Sequence, residues 1–229
     1  MRIALFGGSF DPPHLGHIGI AIAATERLHL DRILMAPAGR QPLKRDQTQS
    51  PYPDRLAMVE LACAHRSPLI ASDIDAPRPD GRFNYTYDTL LHLHETEPDE
   101  ELFCLVGADS LQTLRHWYRA ADALMLAQWV VAARPGFPLD ELERFLPEEV
   151  HAGTQEQHND RIRVPLTKGA ARQTLWLLPG LDYEISATAL RAALADHSAG
   201  IPQQVLDPAV AEYARSHQLY TCTGERSLR

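Results

Sequence analysis

Cysteine is scarce. Cys63, Cys104 and Cys222 are odd in number, widely dispersed and free of any Cys-x-x-Cys pairing, which argues against a disulfide framework or a thiolate zinc cluster. Basic charge is also short: 22 Lys and Arg face 30 Asp and Glu, a net charge of -8. Nucleic acid or an anionic membrane surface needs a broad basic face, so neither is an expected partner. No apolar run approaches the length that spans a bilayer, and the first residues lack a basic region followed by an apolar core; the expectation is a cytoplasmic protein. Repeats and low-complexity segments are missing. Of the eleven histidines, His92, His94, His151 and His158 have no supporting ligand set, read as solvated, and no protein-built metal site is expected. Any polyanion site must therefore be local, with His14, His17, Lys44, Arg45, Arg134 and Arg191 as its candidate charges.

What the chain does have is an ordinary globular composition, 45% hydrophobic and 7% aromatic over 229 residues, enough to bury most of its apolar surface as one domain. Apolar runs alternate with helical stretches, the pattern of a parallel sheet with crossover helices. The runs predict strands at Ile3–Phe6, Arg32–Ala36, Leu69–Ser72, Leu102–Val106, Trp129–Ala132 and Leu175–Leu178. Helices are predicted near Ile18–Leu28, Asp54–His65, Tyr87–His94, Ser110–Arg115 and Leu139–Phe145, with Asp54 capping the second and Asp109 or Ser110 the fourth. After Ile185 the pattern turns helical, and Asp207-Pro208 starts a last helix. The expected fold is α/β, a Rossmann-like parallel sheet flanked by helices. It forms one domain over 1–229, with about 185–229 as a small helical C-terminal part. Pro147–Asp160 reads as a mobile polar surface insertion.

Gly7-Gly8-Ser9-Phe10-Asp11-Pro12-Pro13-His14-Leu15-Gly16-His17 follows the first apolar run directly. Ile18, Ile22 and Leu28 then fall on helical spacing, so the segment joins a strand to a helix. Such a junction offers free backbone N–H groups and a positive helix end to an anion, and glycines without Cβ let a phosphate approach. Pro12-Pro13 fixes an extended approach, leaving His14 in the loop and His17 in the first helical turn, one on each side of the helix entrance. Imidazole N–H donors suit phosphate oxygens whose charge rises during phosphoryl or nucleotidyl transfer. Asp11 reads as a turn residue organising the loop.

This segment resembles the His-x-Gly-His motif of the nucleotidylyltransferase superfamily. Ile185-Ser186-Ala187-Thr188-Ala189-Leu190-Arg191 is similar to its downstream Ile-Ser-Ser-Thr-x-x-Arg motif, with Ala187 in place of a serine and, upstream, Ser9 in place of the usual threonine. Asn84–Leu90, Val106–Leu111 with Trp117, Val130–Phe137 and Tyr213–Tyr220 extend the resemblance along nearly the whole chain. They narrow it to the nicotinate-nucleotide adenylyltransferase branch.

The resemblance implies transfer of AMP from ATP to nicotinate mononucleotide by in-line displacement, giving nicotinate adenine dinucleotide and pyrophosphate. Mg²⁺ would be held mainly by the ATP phosphates. It assigns reaction roles to His14, His17, Lys44 and Arg191. ATP contacts fall to Gly7, Gly8, Ser9, Phe10, His17, Gly107, Asp109, Arg134, Ile185, Ser186, Thr188 and Arg191, and the acceptor to Ser9, Lys44, Tyr85, Thr86, Trp117 and Tyr118. Alternatives stay open. Lys44 also reads as a solvated loop lysine, Trp117 as a core residue and Asp109 as a helix cap. The acceptor could be nicotinamide mononucleotide or phosphopantetheine, or the chain a noncatalytic nucleotide sensor. Oligomeric state is open, a homo-oligomer among the options.

Overall fold

The computed structural model describes residues 1–42, 49–133, 139–181, 183, 185–196, 202 and 204–221. Among them the central sheet runs in the order β3-β2-β1-β4-β5-β9-β8-β6, with β7 also paired to β8. The strands are β1 (Arg2–Gly8), β2 (Arg32–Pro37), β3 (Leu69–Ala71), β4 (Glu101–Gly107), β5 (Gln128–Ala132), β6 (His151–Ala152), β7 (Glu156–His158), β8 (Arg161–Lys168) and β9 (Ala171–Leu178). From β3 to β9 every pairing is parallel. This is the doubly wound arrangement, whose order reverses at β1 and places ligands beyond the strands' carboxyl ends at that point.

The helices are α1 (Leu15–Leu28), α2 (Tyr52–Cys63), α3 (Thr86–Thr96), α4 (Ala108–Thr113), α5 (Ala120–Leu126), α6 (Ala187–Ala195) and α7 (Pro208–Ser216). Strand alternation divides the core in two. Ala4 and Phe6 point to a face covered by Ile18 and Ala21 of α1, Met58 of α2, Leu190 of α6 and Val210 of α7. Ile3 and Leu5 point to the other, covered by Leu90 of α3, Leu111 of α4 and Leu124 of α5. Ala21 and Ala24 on the buried stripe of α1 bring its backbone close to the sheet. Asp207 accepts a hydrogen bond from the Ala209 N–H and Pro208 is the first helical residue, so α7 starts where the sequence predicts.

Four expectations need correction. Pro147–Asp160 contributes β6 and β7, and β8 follows it, so this region extends the sheet with antiparallel strands. Ile162, Val164 and Leu166 alternate inward along β8, but Pro165 interrupts the run and disguises it, because proline within a run argues against a strand. Helix α5, too short to show a period, was not expected. Asp54 lies in the first turn of α2, which begins at Tyr52 with proline in its first turn, and does not cap it. Likewise α4 begins at Ala108 directly off β4, which puts Asp109 and Ser110 inside the helix with Gly107 at its cap position. No described helix is long and apolar enough to cross a membrane. Cys63 and Cys104 are free and buried, and burial pushes both thiols up, Cys63 to about 11.

Candidate active site

The carboxyl ends of β1 and β4 lie side by side at the reversal of strand order, with Phe6 paired to Leu105 just before them. A Cβ added at Gly7 or at Gly107 would meet nothing within 4 Å, so the ground above both strand ends is open. Beyond β1 the chain turns through Phe10, whose positive φ of 46° is rare for a bulky side chain. That turn buries the Phe10 ring against His17, 5.0 Å between centroids and nearly perpendicular.

His14 occupies the cap position of α1 and His17 its first turn. Their rings do not flank the helix start as the proline argument predicts. They stack on each other at 3.6 Å and 24°, because the three-residue spacing across the cap puts both on one side. The His14 backbone N–H donates to His17 Nδ1 at 3.1 Å, so the neutral His17 ring carries its hydrogen on Nε2. His14 is 9% exposed and its Nδ1 has no partner among the described residues. Burial alone pushes its pKa down to about 4, which keeps the ring neutral. Gly16 packs tightly here: a Cβ would sit 3.0 Å from both His14 Nδ1 and the Tyr183 side chain.

The downstream motif forms the start of α6. The Ser186 hydroxyl caps the helix by accepting from the Ala189 N–H at 3.3 Å. Arg191 bridges the two motifs: Nη1 donates to the Asp11 carbonyl at 2.9 Å, across 180 residues of sequence, and Nη2 to the Thr188 hydroxyl at 3.1 Å. Ile185, Ser186, Thr188 and Arg191 are thereby brought to the turn that carries His14 and His17. Asp109 lies exposed in the first turn of α4, beside the same strand ends. Lys44, Arg45 and Arg134 lie outside the described residues.

A second group of predicted residues gathers at the start of α3. Asn84 anchors it, donating to the carbonyls of Asp75 and Ala76 and accepting from the Arg40 N–H. This ties the loop after β2 to the segment before α3 so closely that a Cβ at Gly39 would lie 2.6 Å from the Pro77 nitrogen. Tyr85 occupies the cap position of α3, Thr86 is its first residue, and the Tyr85 ring lies 4.4 Å from that of Tyr118. Trp117 is half-buried, with Nε1 donating to Thr113 at 3.2 Å and its ring 6.0 Å from the buried Trp129. Its indole is thus held from the core side, and both readings of this residue have a basis in its contacts.

A sequence profile described as Cytidylyltransferase-like matches residues 5–193, from β1 into α6. The chain belongs to the cytidylyltransferase-like family. It is 40% identical over 222 residues to a probable nicotinate-nucleotide adenylyltransferase of Laribacter hongkongensis, covering 96% of this chain and 94% of that one. To a protein described in the same words from Herpetosiphon aurantiacus it is 37% identical over 223 residues, covering 96% and 98%. Its fold is similar to that of Plasmodium falciparum nicotinic acid mononucleotide adenylyltransferase complexed with NaAD, at a TM-score of 0.68 and 15% identity, over 96% of this chain and 97% of that one.

Two residues that reading the sequence did not single out support the two groups of site residues, one at each. Arg55 of α2 is 2% exposed. Its guanidinium donates to the carbonyls of Ser9 at 2.9 Å, Ser50 at 3.1 Å and, at the limit, Gly39 at 3.5 Å. A signal existed: Arg55 falls on the same helical stripe as the buried Met58, Val59 and Ala62, where an arginine needs a buried partner. Asp75 is the other: burial raises its carboxyl to about 6 despite a hydrogen bond from Thr89.

Proposed function

We propose that this protein transfers AMP from ATP to nicotinate mononucleotide, releasing pyrophosphate and forming nicotinate adenine dinucleotide. The observation that carries the reading is the meeting of His14, His17 and Arg191 on one turn at the reversal of strand order. The end-to-end similarity to relatives named for that reaction supports the choice of acceptor.

In this reading the acceptor's 5'-phosphate oxygen attacks the α-phosphorus of ATP, and the bond from that phosphorus to the bridging oxygen of pyrophosphate breaks. The attacking oxygen is already anionic, so no general base is needed. The protein's task is alignment and relief of charge repulsion. His17 is pre-set as an Nε2–H donor by the backbone hydrogen bond to its other nitrogen, and the neutral His14, whose Nδ1 is unpaired among the described residues, is the second polar group of the turn. Donors fixed before the reaction cost no reorganisation as charge develops on phosphate oxygens. Arg191 contributes positive charge and holds the turn to α6, and Lys44, outside the described residues, is the further cation assigned to the phosphates.

The carboxylate of the turn, Asp11, already accepts hydrogen bonds at both oxygens, from the Ser50 N–H and the Tyr220 hydroxyl. This donor set fits a Mg²⁺ carried by ATP phosphates and waters, where it would neutralise triphosphate charge. Trp117 supplies a stacking face for the pyridine ring and Tyr85, Thr86 and Tyr118 the polar contacts. The unpaired backbone N–H groups that open any α-helix favour a carboxylate over an amide at the start of α3. Free, buried Cys63 and Cys104 fit a reducing compartment, and a cytoplasmic location belongs to the proposal.

Pyrophosphate release from ATP, measured with nicotinate mononucleotide, nicotinamide mononucleotide and phosphopantetheine in turn, tests it. The acid form should be preferred. Equal efficiency with the amide would make the enzyme dual in specificity, and no release with any acceptor would leave a nucleotide-binding sensor.

A further inference from the structure

The stretch from Tyr213 to Tyr220 has no place in the chemistry above, yet its last residue reaches the reaction turn. The Tyr220 hydroxyl donates to Asp11 Oδ1 at 2.6 Å, over 209 residues of sequence. Its oxygen also lies 3.9 Å from Met58 Sδ. Asp11 is 5% exposed, and its other oxygen takes the Ser50 N–H at 3.1 Å. The Asp11 carbonyl takes Arg191, and two residues earlier the Ser9 carbonyl takes Arg55. Three remote parts of the chain thus grip one short turn by its polar atoms. Burial and the adjacent carboxylate push the Tyr220 hydroxyl well above its ordinary range, so it stays a donor.

We propose that Tyr220 is a positioning residue for nucleotidyl transfer: its hydrogen bond to Asp11 holds the turn on which His14 and His17 are stacked. The inference rests on the reading of this turn as the ATP site. A hydrogen bond to a charged, buried acceptor is among the stronger ones, and removing the donor leaves a carboxylate oxygen unpaired. The turn then gains freedom where phosphate alignment tolerates little.

Tyr213 provides the matched control, since its hydroxyl makes a similar bond at 3.0 Å, to Asp54 of α2 rather than to the turn itself. Tyr220→Phe and Tyr213→Phe each lose one hydroxyl and keep the ring. The expected result is that both lower the unfolding midpoint modestly, while only Tyr220→Phe lowers kcat, by about tenfold, with KM for ATP and acceptor within about twofold. Combining Tyr220→Phe with Asp11→Asn should cost no more than Asp11→Asn alone, because both changes act through one contact. A second readout needs no turnover: hydrogen exchange of the His14 backbone N–H, the donor to His17, should quicken in Tyr220→Phe and not in Tyr213→Phe. If the wild type transfers no AMP, the functional reading fails and exchange alone decides the role of Tyr220. The proposal is overturned if Tyr220→Phe leaves His14 exchange unchanged, or if its kcat falls no further than that of Tyr213→Phe.

Discussion

The two ends of the site are built differently. The histidine turn is buried from Phe10 to His14, and its polar atoms are held by Arg55, Arg191 and Tyr220, residues that come from α2, α6 and the segment after α7. The other end, around Tyr85, Thr86, Trp117 and Tyr118, is made of half-exposed aromatic side chains whose polar contacts are mostly local, such as Trp117 to Thr113. Phosphate recognition needs donors fixed in direction, which buried charge and long-range hydrogen bonds supply. Recognition of a flat ring needs an apolar face and a few peptide groups, which neighbouring residues supply. On this reading, damage to the first end should be lost rate, and damage to the second should be lost acceptor affinity.

The sharpest break in that contrast would come from His17→Ala, expected to fold and to lose about 10² or more in kcat. Steady-state kinetics at saturating ATP and acceptor measures it, and near-normal turnover would remove the histidine from the reaction. Trp117→Ala should instead weaken acceptor use by roughly 1–3 kcal/mol, the scale of stacking on an aromatic ring, with the KM for ATP nearly unchanged. Equal losses for both substrates would make Trp117 a core residue and erase the difference between the ends.

A stability measurement isolates the buried end. Burial lowers His14 from 6.5 to about 4, so between those values the unfolded chain binds more protons. His14 therefore withdraws stability as pH falls through that window. Asp75, raised from 3.8 to about 6, has the opposite sign, since its native state takes up protons first. It is common to both proteins when wild type and His14→Gln are compared. Urea midpoints between pH 7 and 4 should decline more steeply for wild type, and parallel curves would refute a neutral buried His14. The smallest effect belongs to Ala187→Ser. Ser186 already caps α6 and backbone N–H groups are indifferent to the side chain at 187, so KM for ATP should change less than about twofold. A large improvement would mean that the missing hydroxyl matters.

The contrast also explains what could be read in the sequence. Each parallel strand is a short apolar run bounded by breakers, a local signal, and all six were legible. So was the strand-to-helix turn, because glycines, prolines and histidines coincide within it. The stacking of His14 on His17 was not, since it depends on how the cap seats itself. Strand β8 was lost to Pro165, whose missing N–H argues against a strand unless the neighbours are known. Arg55 carried a usable sign in its position on an apolar helical stripe. The bonds from Tyr220 and Arg191 to Asp11 carried none: they span 209 and 180 residues, and no local pattern records a contact made by tertiary packing.

The grip of Tyr220 on Asp11 also sets an order of events during synthesis. At about 5–20 residues per second, the hydroxyl leaves the ribosome roughly 10–40 s after the turn it must hold, given their separation of 209 residues. Strand β1 waits as well, for it is translated first yet sits between β2 and β4 in the finished sheet. For most of its synthesis the nascent chain carries the histidines without the partners that fix them. The histidine turn is translated before the residues that hold it and completed only after them.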